Sequence, residues 1–392
     1  MDLAIFFMHY CYTKSVKYSS KKILIAAAIT FSLMAFAAMA YFIVVPEKEI
    51  LAEKDSVAVT PQLKSFQGIL VGTLHDAKEG AVKIGEKIGE AVSNPFASTR
   101  IDPPKTTSTE TSSENNFSFA ILGDTQRFDA NNSNGNFQRA MANITKLNPD
   151  LVLAVGDLVG SCKGDNKCSS NYSDWKKIVG ILLPETYALQ GNHDRIGKDK
   201  TDDVWRSSFV FPTNGPSGFS EQVYSFDHKN SHFVVLDSDK PKEHLVNDEE
   251  RNWLEKDLSM NKKGNTFVFF HEPAYPVSSK MKESLDADPS ERDALWEILD
   301  RHNVTAVFNG HEHIVSRRKI DSSVFPGAEN SIYQFVFGNT DSFNHDLPKP
   351  GVAEYASQIQ GSSGFVKVNG KEITVETDAP DGSLLDTFSF SK

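Results

Sequence analysis

Residues 117–126 read FSFAILGDTQ, an apolar run that ends in a glycine and a carboxylate. Short apolar runs bounded by turn residues are typical of buried strands. The pattern returns four more times, each time ending in Asp, Asn or His: LVLAVGD (151–157), TYALQGNHD (186–194), TFVFFH (266–271) and VTAVFNGHEH (304–313). This recurrence, more than any single spacing, decides the fold.

Between these runs the sequence predicts helices at 136–147, at 174–182, from the capping residue Asn247, and from Asp288-Pro289 to about His302. Residues 222–227 and 232–237 are predicted to form a hairpin, and short strands follow at 332–337, 364–368, 372–377 and 385–390. Alternating strands and helices indicate an α/β fold, with antiparallel strands added late. Ligands in such sheets collect at the carboxyl ends of the strands. We therefore expect the five terminal residues to meet at one edge.

The residues that end these strands are of the kinds that bind metal ions. Carboxylate oxygens, amide oxygens and imidazole nitrogens form the mixed donor set that borderline divalent ions accept. His311 and His313 are two residues apart, so their rings point the same way on an extended segment. GHEH alone could be a surface turn, and His271 alone a buried structural histidine. The occurrence of GHEH, His271 and GNHD together at the ends of predicted strands favours a two-metal centre. Such a centre suits phosphoryl transfer.

Once these residues are assembled, residues 117 to about 340 resemble the calcineurin-like metallophosphoesterase superfamily. GNHD (191–194) and GHEH (310–313) are the specific motifs, whereas GD alone is weak. The resemblance implies a four-layer αββα sandwich of two mixed sheets with two metal ions between them. It also implies hydrolysis of a phosphate mono- or diester by a metal-bound hydroxide.

Carried over motif by motif, the resemblance assigns Asp157 as the bridge between both ions. The other implied ligands are Asp124, Gln126 and His313 at the first ion, and Asn192, His271 and His311 at the second. His193 would face the phosphoryl group as a catalytic residue. Asp194 would orient His193, or alternatively cap the following turn.

Two positions depart from the family pattern. The first motif is usually Asp-x-His, whereas this chain has Asp124-Thr125-Gln126. An amide oxygen is a harder ligand than imidazole, so we expect Mn first, with Fe, Zn, Mg or Co as alternatives. In the purple acid phosphatase branch a Tyr stands three residues after the bridging Asp. Gly160 takes that place here, which argues against an iron-tyrosinate centre.

The N-terminal region carries an uncharged run at residues 23–45, long enough to span a bilayer as a helix. Four lysines precede it and acidic residues follow, so the positive-inside rule puts residues 1–22 in the cytoplasm and the catalytic domain outside. The lipid bilayer is then a partner of this segment. Two alternatives are a signal peptide cleaved near Ala40, which would release a secreted protein, and a buried soluble helix.

Residues 46–116 are predicted to be a stalk or linker. Apolar residues recur at steps of three and four within 64–92, which predicts a helix that is either a stalk or a self-associating or membrane-surface segment. The Ser/Thr/Pro/Glu-rich stretch 98–116 predicts disorder. The catalytic domain would then occupy 117–392. Within it, Cys162 and Cys168 could pair if the domain is exported, or remain free thiols.

The net charge of −11 argues against nucleic-acid binding, which needs a basic face. A phosphorylated small-molecule or surface substrate remains compatible, because bound cations reverse the local sign. Two other functions stay open: hydrolysis of a pyrophosphate bond in a nucleotide-type substrate, and a catalytically silent binding domain. The oligomeric state is unknown from sequence. Arginines near motif ends could bind phosphate or be solvated on the surface (Arg127, Arg195, Arg317 and Arg318). Three histidines outside the motifs are predicted to be surface or structural (His232, His244 and His345).

Overall fold

The computed structural model describes residues 115–160, 165–195 and 201–392. The predicted cytoplasmic segment, the apolar run 23–45 and the helix 64–92 lie outside these residues. Across the described ranges, no helix combines the length and the apolar character needed to cross a bilayer.

Two large mixed sheets form the framework, as the family resemblance implied, and the alternation of strands and helices is that predicted for an α/β fold. The first contains Asn116–Leu122 (β1), Leu151–Ala154 (β2), Thr186–Ala188 (β3), Ser363–Asn369 (β13), Glu372–Asp378 (β14) and Leu384–Ser391 (β15). Its spatial order is β15-β14-β13-β1-β2-β3. Strands β1, β2 and β3 run parallel, whereas β13 pairs antiparallel with β1. The carboxyl ends of the three parallel strands therefore share one edge.

The second sheet contains Tyr224–His228 (β4), Ser231–Val235 (β5), Asn265–Phe269 (β8), Ala306–Asn309 (β9), Val315–Ile320 (β10), Ile332–Phe337 (β11) and Tyr355–Ser357 (β12). Its order is β12-β10-β11-β9-β8-β5-β4, with β5, β8, β9 and β11 parallel. Two short parallel strands, Asp239–Lys240 (β6) and Leu245–Val246 (β7), pair separately. Here too, β8 and β9 deliver their carboxyl ends to one edge.

Aromatic side chains join the inner faces of the two sheets. The Phe119 ring of β1 lies 5.4 Å from that of Phe233 on β5, 5.2 Å from that of Phe267 on β8 and 5.8 Å from that of Phe308 on β9. Because side chains alternate along a strand, the residues between these point outward. Val234 on β5, for example, packs in a separate cluster with residues of the flanking helices.

Helices flank the sheets: Asn136–Leu147 (α1), Asp165–Val179 (α2), Thr201–Ser208 (α3), Asp248–Met260 (α4) and Pro289–Arg301 (α5). Both helix starts predicted from capping residues are confirmed. The Asn247 side chain accepts from the Glu250 amide at 3.0 Å, and that of Asp288 accepts from the Glu291 amide at 3.4 Å. Capping satisfies amides that have no partner within the helix.

Several elements differ from the sequence prediction, among them two helices and one strand of the second sheet. Helix α2 begins at Asp165 rather than Asp174, within a polar stretch that lacks helical periodicity. Helix α3 was not predicted, although Trp205 buries completely. Strand β10 was missed because its sequence, VSRRKI, is dense in charge. Its Arg317 is accommodated by ion pairs with Glu354 and Asp386.

Candidate metal centre

Most of the predicted ligands lie just beyond the carboxyl ends of strands. Asp124 follows β1 and Asp157 follows β2, Asn192 comes after β3, and His271 and His311 follow β8 and β9. Asp124, Asp157, His271 and His311 are all buried. The contacts below link the predicted ligands from both sheets into one cluster, as the common edge of parallel strands suggested.

One half of the cluster gathers Asp124, Asp157 and His313. Each offers a donor atom, and these three atoms lie within 4.8 Å of one another. His313 Nε2 lies 3.4 Å from Asp124 Oδ1. Gln126 joins them, because its Nε2 lies 3.1 Å from His313 Nε2 and 3.4 Å from Asp157 Oδ2. The four residues predicted around the first ion are therefore adjacent.

The other half is centred on the Asn192 side-chain oxygen. Asn192 Oδ1 lies 3.3 Å from His271 Nε2 and 3.2 Å from His311 Nδ1. The two imidazole rings stand nearly perpendicular, with centroids 5.1 Å apart. These are the three residues predicted around the second ion.

The Asp157 carboxylate lies between the two halves. Its Oδ1 is 3.4 Å from His271 Nε2, whereas its Oδ2 is 3.4 Å from Gln126 Nε2. Each oxygen thus faces a different half, the arrangement that a bridging carboxylate requires.

The backbone is held in an unusual conformation at these positions. Asp124, Asp157 and His311 have φ of 53°, 51° and 66°, in the left-handed region that side chains other than glycine rarely adopt. Such residues cluster at functional sites, where the surrounding structure supports them. Here the Asp124 amide donates to the Gly156 carbonyl at 3.0 Å.

Glycine at the two motif starts permits close approach. A Cβ on Gly191 would lie 2.3 Å from Asp157 Oδ1, and one on Gly310 would lie 2.5 Å from Asp124 Oδ2. Neither position has room for any other residue. The glycines of GNHD and GHEH are therefore required by the packing of the carboxylates themselves.

Hydrogen bonds on the far side of two rings fit a metal site. His271 Nδ1 donates to the Val155 carbonyl at 2.8 Å, and His311 Nε2 donates to the Glu283 carbonyl at 2.7 Å. A carbonyl only accepts, so in each neutral ring the nitrogen that faces Asn192 carries the lone pair. Histidines that bind metals are held in this way.

Two further observations agree with cations at this position. The buried Gln126 Oε1 and His313 Nδ1 have no hydrogen-bond partner. Within the described residues, the ion pairs of Asp124 and Asp157 are with histidines, not with Lys or Arg. Two buried carboxylates, neutral amide oxygens and imidazoles form a donor set suited to divalent ions.

Charges within the cluster shift its titration. Although burial opposes ionisation, His271 and His193 hold the pKa of Asp157 below its usual range. The same attraction outweighs burial and raises the pKa of His271. Burial lowers the pKa of His311, with His271 adding to the effect. A cation at Asp157 would compete with the proton on His271, so metal binding should release protons.

His193 is partly exposed at the edge of the cluster and can meet a ligand. Its side chain is 36% exposed, and its Nε2 lies 4.0 Å from Asp157 Oδ2. The ring is oriented by Nδ1, which donates to the Gly160 carbonyl at 3.1 Å. The expectation that Asp194 would orient this ring therefore needs correction.

Asp194 instead orders the loop that carries Asp157. Its Oδ2 accepts from the amides of Leu158 at 3.1 Å and Gly191 at 3.0 Å, and its Oδ1 accepts from the Tyr172 hydroxyl at 3.2 Å. Burial and the nearby Asp157 raise the pKa of Asp194 to about 7. Asp194 thus accepts from backbone amides, as in the capping alternative, but these amides belong to the loops after β2 and β3 and not to the turn that follows Asp194.

Of the four arginines near the motifs, the structure leaves Arg127 exposed. Its guanidinium lies 3.3 Å from the centroid of the exposed Phe343 ring. Arg195 forms ion pairs with Asp237 and Asp202. Arg317 forms the ion pairs with Glu354 and Asp386 described above. Arg318 contacts the carbonyl of Tyr275 at 3.5 Å. Arg127 is the arginine best placed to meet an anion.

Sequence reasoning missed His345, which stacks on His313 with ring centroids 4.1 Å apart. It lies 32 residues downstream and in no motif, so no sequence signal identified it. The sequence left Cys162 and Cys168 either paired or as free thiols. Cys168 is disulfide-bonded, whereas Cys162 lies outside the described residues.

Comparison with known proteins agrees with this geometry. The sequence model of the family described as calcineurin-like phosphoesterase matches residues 117–315, which are 199 of the 392 residues. Purple acid phosphatase 15 of Arabidopsis thaliana is 27% identical over 198 residues, covering 43% of this chain and 36% of the plant protein. This chain thus spans little more than a third of that relative.

A second relative is matched over most of its length. The protein named probable glycerophosphodiester phosphodiesterase GpdQ of Arcobacter nitrofigilis is 25% identical over 232 residues, covering 55% of this chain and 72% of the relative. Among solved structures, purple acid phosphatase PPD1 of yellow lupin superposes with a TM-score of 0.58 at 16% identity. That superposition covers 70% of this chain and 54% of the lupin protein, and it shows a shared fold.

Proposed function

This chain belongs to the calcineurin-like phosphoesterase family, and from that membership we propose that it hydrolyses a phosphate mono- or diester with two divalent metal ions. The observation that carries the proposal is the position of the Asp157 carboxylate, whose two oxygens face separate groups of donors. A binding domain that had lost catalysis would need neither this bridge nor an accessible His193.

The residues divide into two ligand groups around Asp157. Asp124, Gln126 and His313 would hold the first ion, and Asn192, His271 and His311 the second. Bound divalent ions would supply a nucleophile at neutral pH and neutralise charge on the phosphoryl group. The neutral amides of Gln126 and Asn192 keep the centre's net charge positive enough to hold an anion. Mn is the first metal to test, followed by Fe, Zn, Mg and Co.

His193 is proposed to act on the substrate directly. Its Nδ1 is fixed by the Gly160 carbonyl, so Nε2 is the nitrogen left to exchange a proton or to bind a phosphoryl oxygen. General acid–base groups need such reach to the reacting atoms. Asp194 holds the Asp157 loop and so positions the bridge rather than His193.

Among substrates, a phosphodiester is to be tested first. The relative named as a glycerophosphodiester phosphodiesterase is matched over 72% of its length, whereas the plant purple acid phosphatase is matched over 36%. The position of the purple branch's tyrosine is Gly160, where a Cβ would lie 2.5 Å from the Gln126 carbonyl. The chain is therefore not proposed to contain an iron-tyrosinate centre.

A substrate screen tests the proposal. The full chain in detergent would be stripped with a chelator, reloaded with single metals, and assayed with p-nitrophenyl phosphate, bis-p-nitrophenyl phosphate and a nucleoside diphosphate sugar. Release of p-nitrophenol in the presence of Mn supports an esterase. Cleavage of the sugar nucleotide alone would favour a pyrophosphatase. Metal binding without any turnover would favour a silent binding domain.

We also propose that residues 23–45 anchor the protein in a membrane, with the catalytic domain outside the cytoplasm. This rests on the uncharged length of the run and on the lysines that precede it. A phosphorylated substrate would then be met outside the cytoplasm, either free or on a surface.

A further inference from the structure

His345 lies in the loop between β11 and β12 and covers one face of the His313 ring. The two rings are stacked, with centroids 4.1 Å apart and an angle of 17° between their planes. His313 is in turn 3.4 Å from Asp124 and 3.1 Å from Gln126 through its Nε2. His345 therefore lies directly beside the first group of metal ligands without belonging to it.

Two hydrogen bonds fix the orientation of His345. The His313 amide donates to His345 Nδ1 at 3.1 Å, and the His345 amide donates to the His313 carbonyl at 3.3 Å. A backbone amide can only donate, so Nδ1 must accept. The proton of the neutral His345 ring is consequently on Nε2.

His345 Nε2 is open to a ligand. Among the described residues no group hydrogen-bonds to it, and it is not one of the buried polar atoms that lack partners. Lys280 and Glu283 are charged groups whose fields act on His345, and they pair with each other at 2.9 Å. Neither forms a hydrogen bond with His345 Nε2, so the Nε2–H donor is available for another acceptor.

His193 and His345 both lie at the edge of the cluster, and their hydrogen bonds fix opposite tautomers of the neutral ring. His193 donates from Nδ1 to the Gly160 carbonyl, which leaves Nε2 as the nitrogen without the proton in the neutral ring. His345 accepts at Nδ1, which leaves Nε2–H as a fixed donor. One ring can accept a proton, while the other can only donate a hydrogen bond outward.

We propose that His345 is a substrate-binding residue whose Nε2–H donates to an oxygen of the bound phosphoryl group on the side of Asp124 and His313. This role rests on the proposed phosphoesterase function. It adds an uncharged hydrogen-bond donor for the substrate, supplied by a residue that belongs to none of the sequence motifs.

A matched pair of substitutions distinguishes substrate binding by His345 from a role in which His345 only positions the His313 ring. In His345→Gln the side-chain amide nitrogen reaches about as far as Nε2, so the outward donor is kept and the Nδ1 acceptor is lost. In His345→Asn the amide oxygen stands near the position of Nδ1, so the acceptor is kept and the outward donor is lost. His302→Asn, which alters a histidine paired with Glu255 on α4, is the control.

The full chain in detergent, loaded with Mn, would be measured for metal content, for the dissociation constant of inorganic phosphate, and for kcat and KM. We expect His345→Asn to keep its metal, to bind phosphate roughly 10- to 100-fold more weakly, and to raise KM more than it lowers kcat. His345→Gln should stay within a few-fold of the parent, as should His302→Asn.

Four results would overturn the assignment. If His345→Asn binds phosphate like the parent, Nε2 does not meet the substrate. If His345→Gln loses metal or phosphate while His345→Asn does not, His345 only supports His313. If the parent chain binds neither Mn nor phosphate, the proposed function fails, and this role fails with it. An active parent with indistinguishable variants would overturn the His345 role alone.

Discussion

Asp157 and His193 are joined at two points. The His193 amide donates to Asp157 Oδ1 at 2.8 Å, while His193 Nε2 lies 4.0 Å from Oδ2 of the same carboxylate. The proposed bridge and the proposed proton-transfer residue therefore share one local structure. A substitution at either can displace the other, so each test needs a variant that keeps this hydrogen bond.

Asp157→Ala should abolish activity and lower the metal content of both sites, because one carboxylate serves both groups of ligands. Asp157→Asn keeps an oxygen that can accept from the His193 amide, so it isolates the loss of charge. We expect Asp157→Asn to lose metal as well. Metal analysis of the purified chains decides this. Full metal content and full activity in Asp157→Ala would rule out the bridging assignment.

His193→Ala should leave both metals bound and slow the chemical step by roughly 10² to 10⁴, the usual contribution of a general acid or base. The His193 amide remains in this variant, so its hydrogen bond to Asp157 is retained. Single-turnover kinetics would be compared with metal content on the same samples. Loss of metal with the ring would make His193 a ligand and contradict its proposed role.

Much of the fold followed from local signals. Helix α1 was predicted at its observed bounds, because apolar residues recur at helical spacing and Asn148-Pro149 ends the pattern. The caps at Asn247 and Asp288 are equally local. Strand β10 could not be found in this way, since its Arg317 is stabilised by Glu354 and Asp386, which are distant in sequence.

Within the site, the residue types at strand ends predicted the cluster, because parallel strands bring their carboxyl ends together whatever lies between them. The roles of Asp194 and His345 could not be predicted. Asp194 depends on which amides the loop after β2 presents, and His345 depends on how the loop after β11 folds back on His313. Both are consequences of tertiary packing.

His232 should make stability depend on pH. Its side chain is 9% exposed and bridges Asp257 at 2.8 Å and Asp227 at 2.7 Å. Burial opposes the charged ring, but these hydrogen bonds outweigh it and raise the pKa of His232 above 6.5. A raised folded-state pKa gives stability that is fully present below the unfolded value and lost as the pH rises through the folded value.

His232→Gln should therefore destabilise the protein by about 1.5–3 kcal/mol under acidic conditions, the range for hydrogen bonds to charged groups, and by less under alkaline conditions. Urea unfolding of parent and variant at about pH 5.5 and pH 9 would measure the difference. An equal loss at both pH values would mean that His232 stabilises by packing, not by charge.

The membrane anchor can be tested without reference to catalysis. A reporter fused after Pro46 should be active outside the cytoplasm, and the full chain should stay in the membrane fraction after carbonate washing. Replacing two residues in the middle of the run 23–45 with lysine should release it, because charge in the bilayer centre is costly. A shortened soluble product from the parent chain would instead indicate cleavage near Ala40.

Gln126 should set the metal preference of the first site. Its amide nitrogen lies 3.1 Å from His313 Nε2 and its oxygen is buried without a partner, so a rotation of the amide would turn that oxygen toward the Asp124 group. Amide oxygen is harder than imidazole nitrogen and should favour Mn or Mg over Zn. Gln126→His should then shift activity toward Zn or Co, or tighten metal binding, with little change in fold. Activity across a metal series would be measured for the parent, Gln126→His, and Gln126→Leu, which lacks a donor atom. The leucine variant should lose affinity for every metal in similar proportion. If all three chains share one metal preference and one affinity, Gln126 is not a ligand. The first ion would then be held by Asp124, Asp157 and His313.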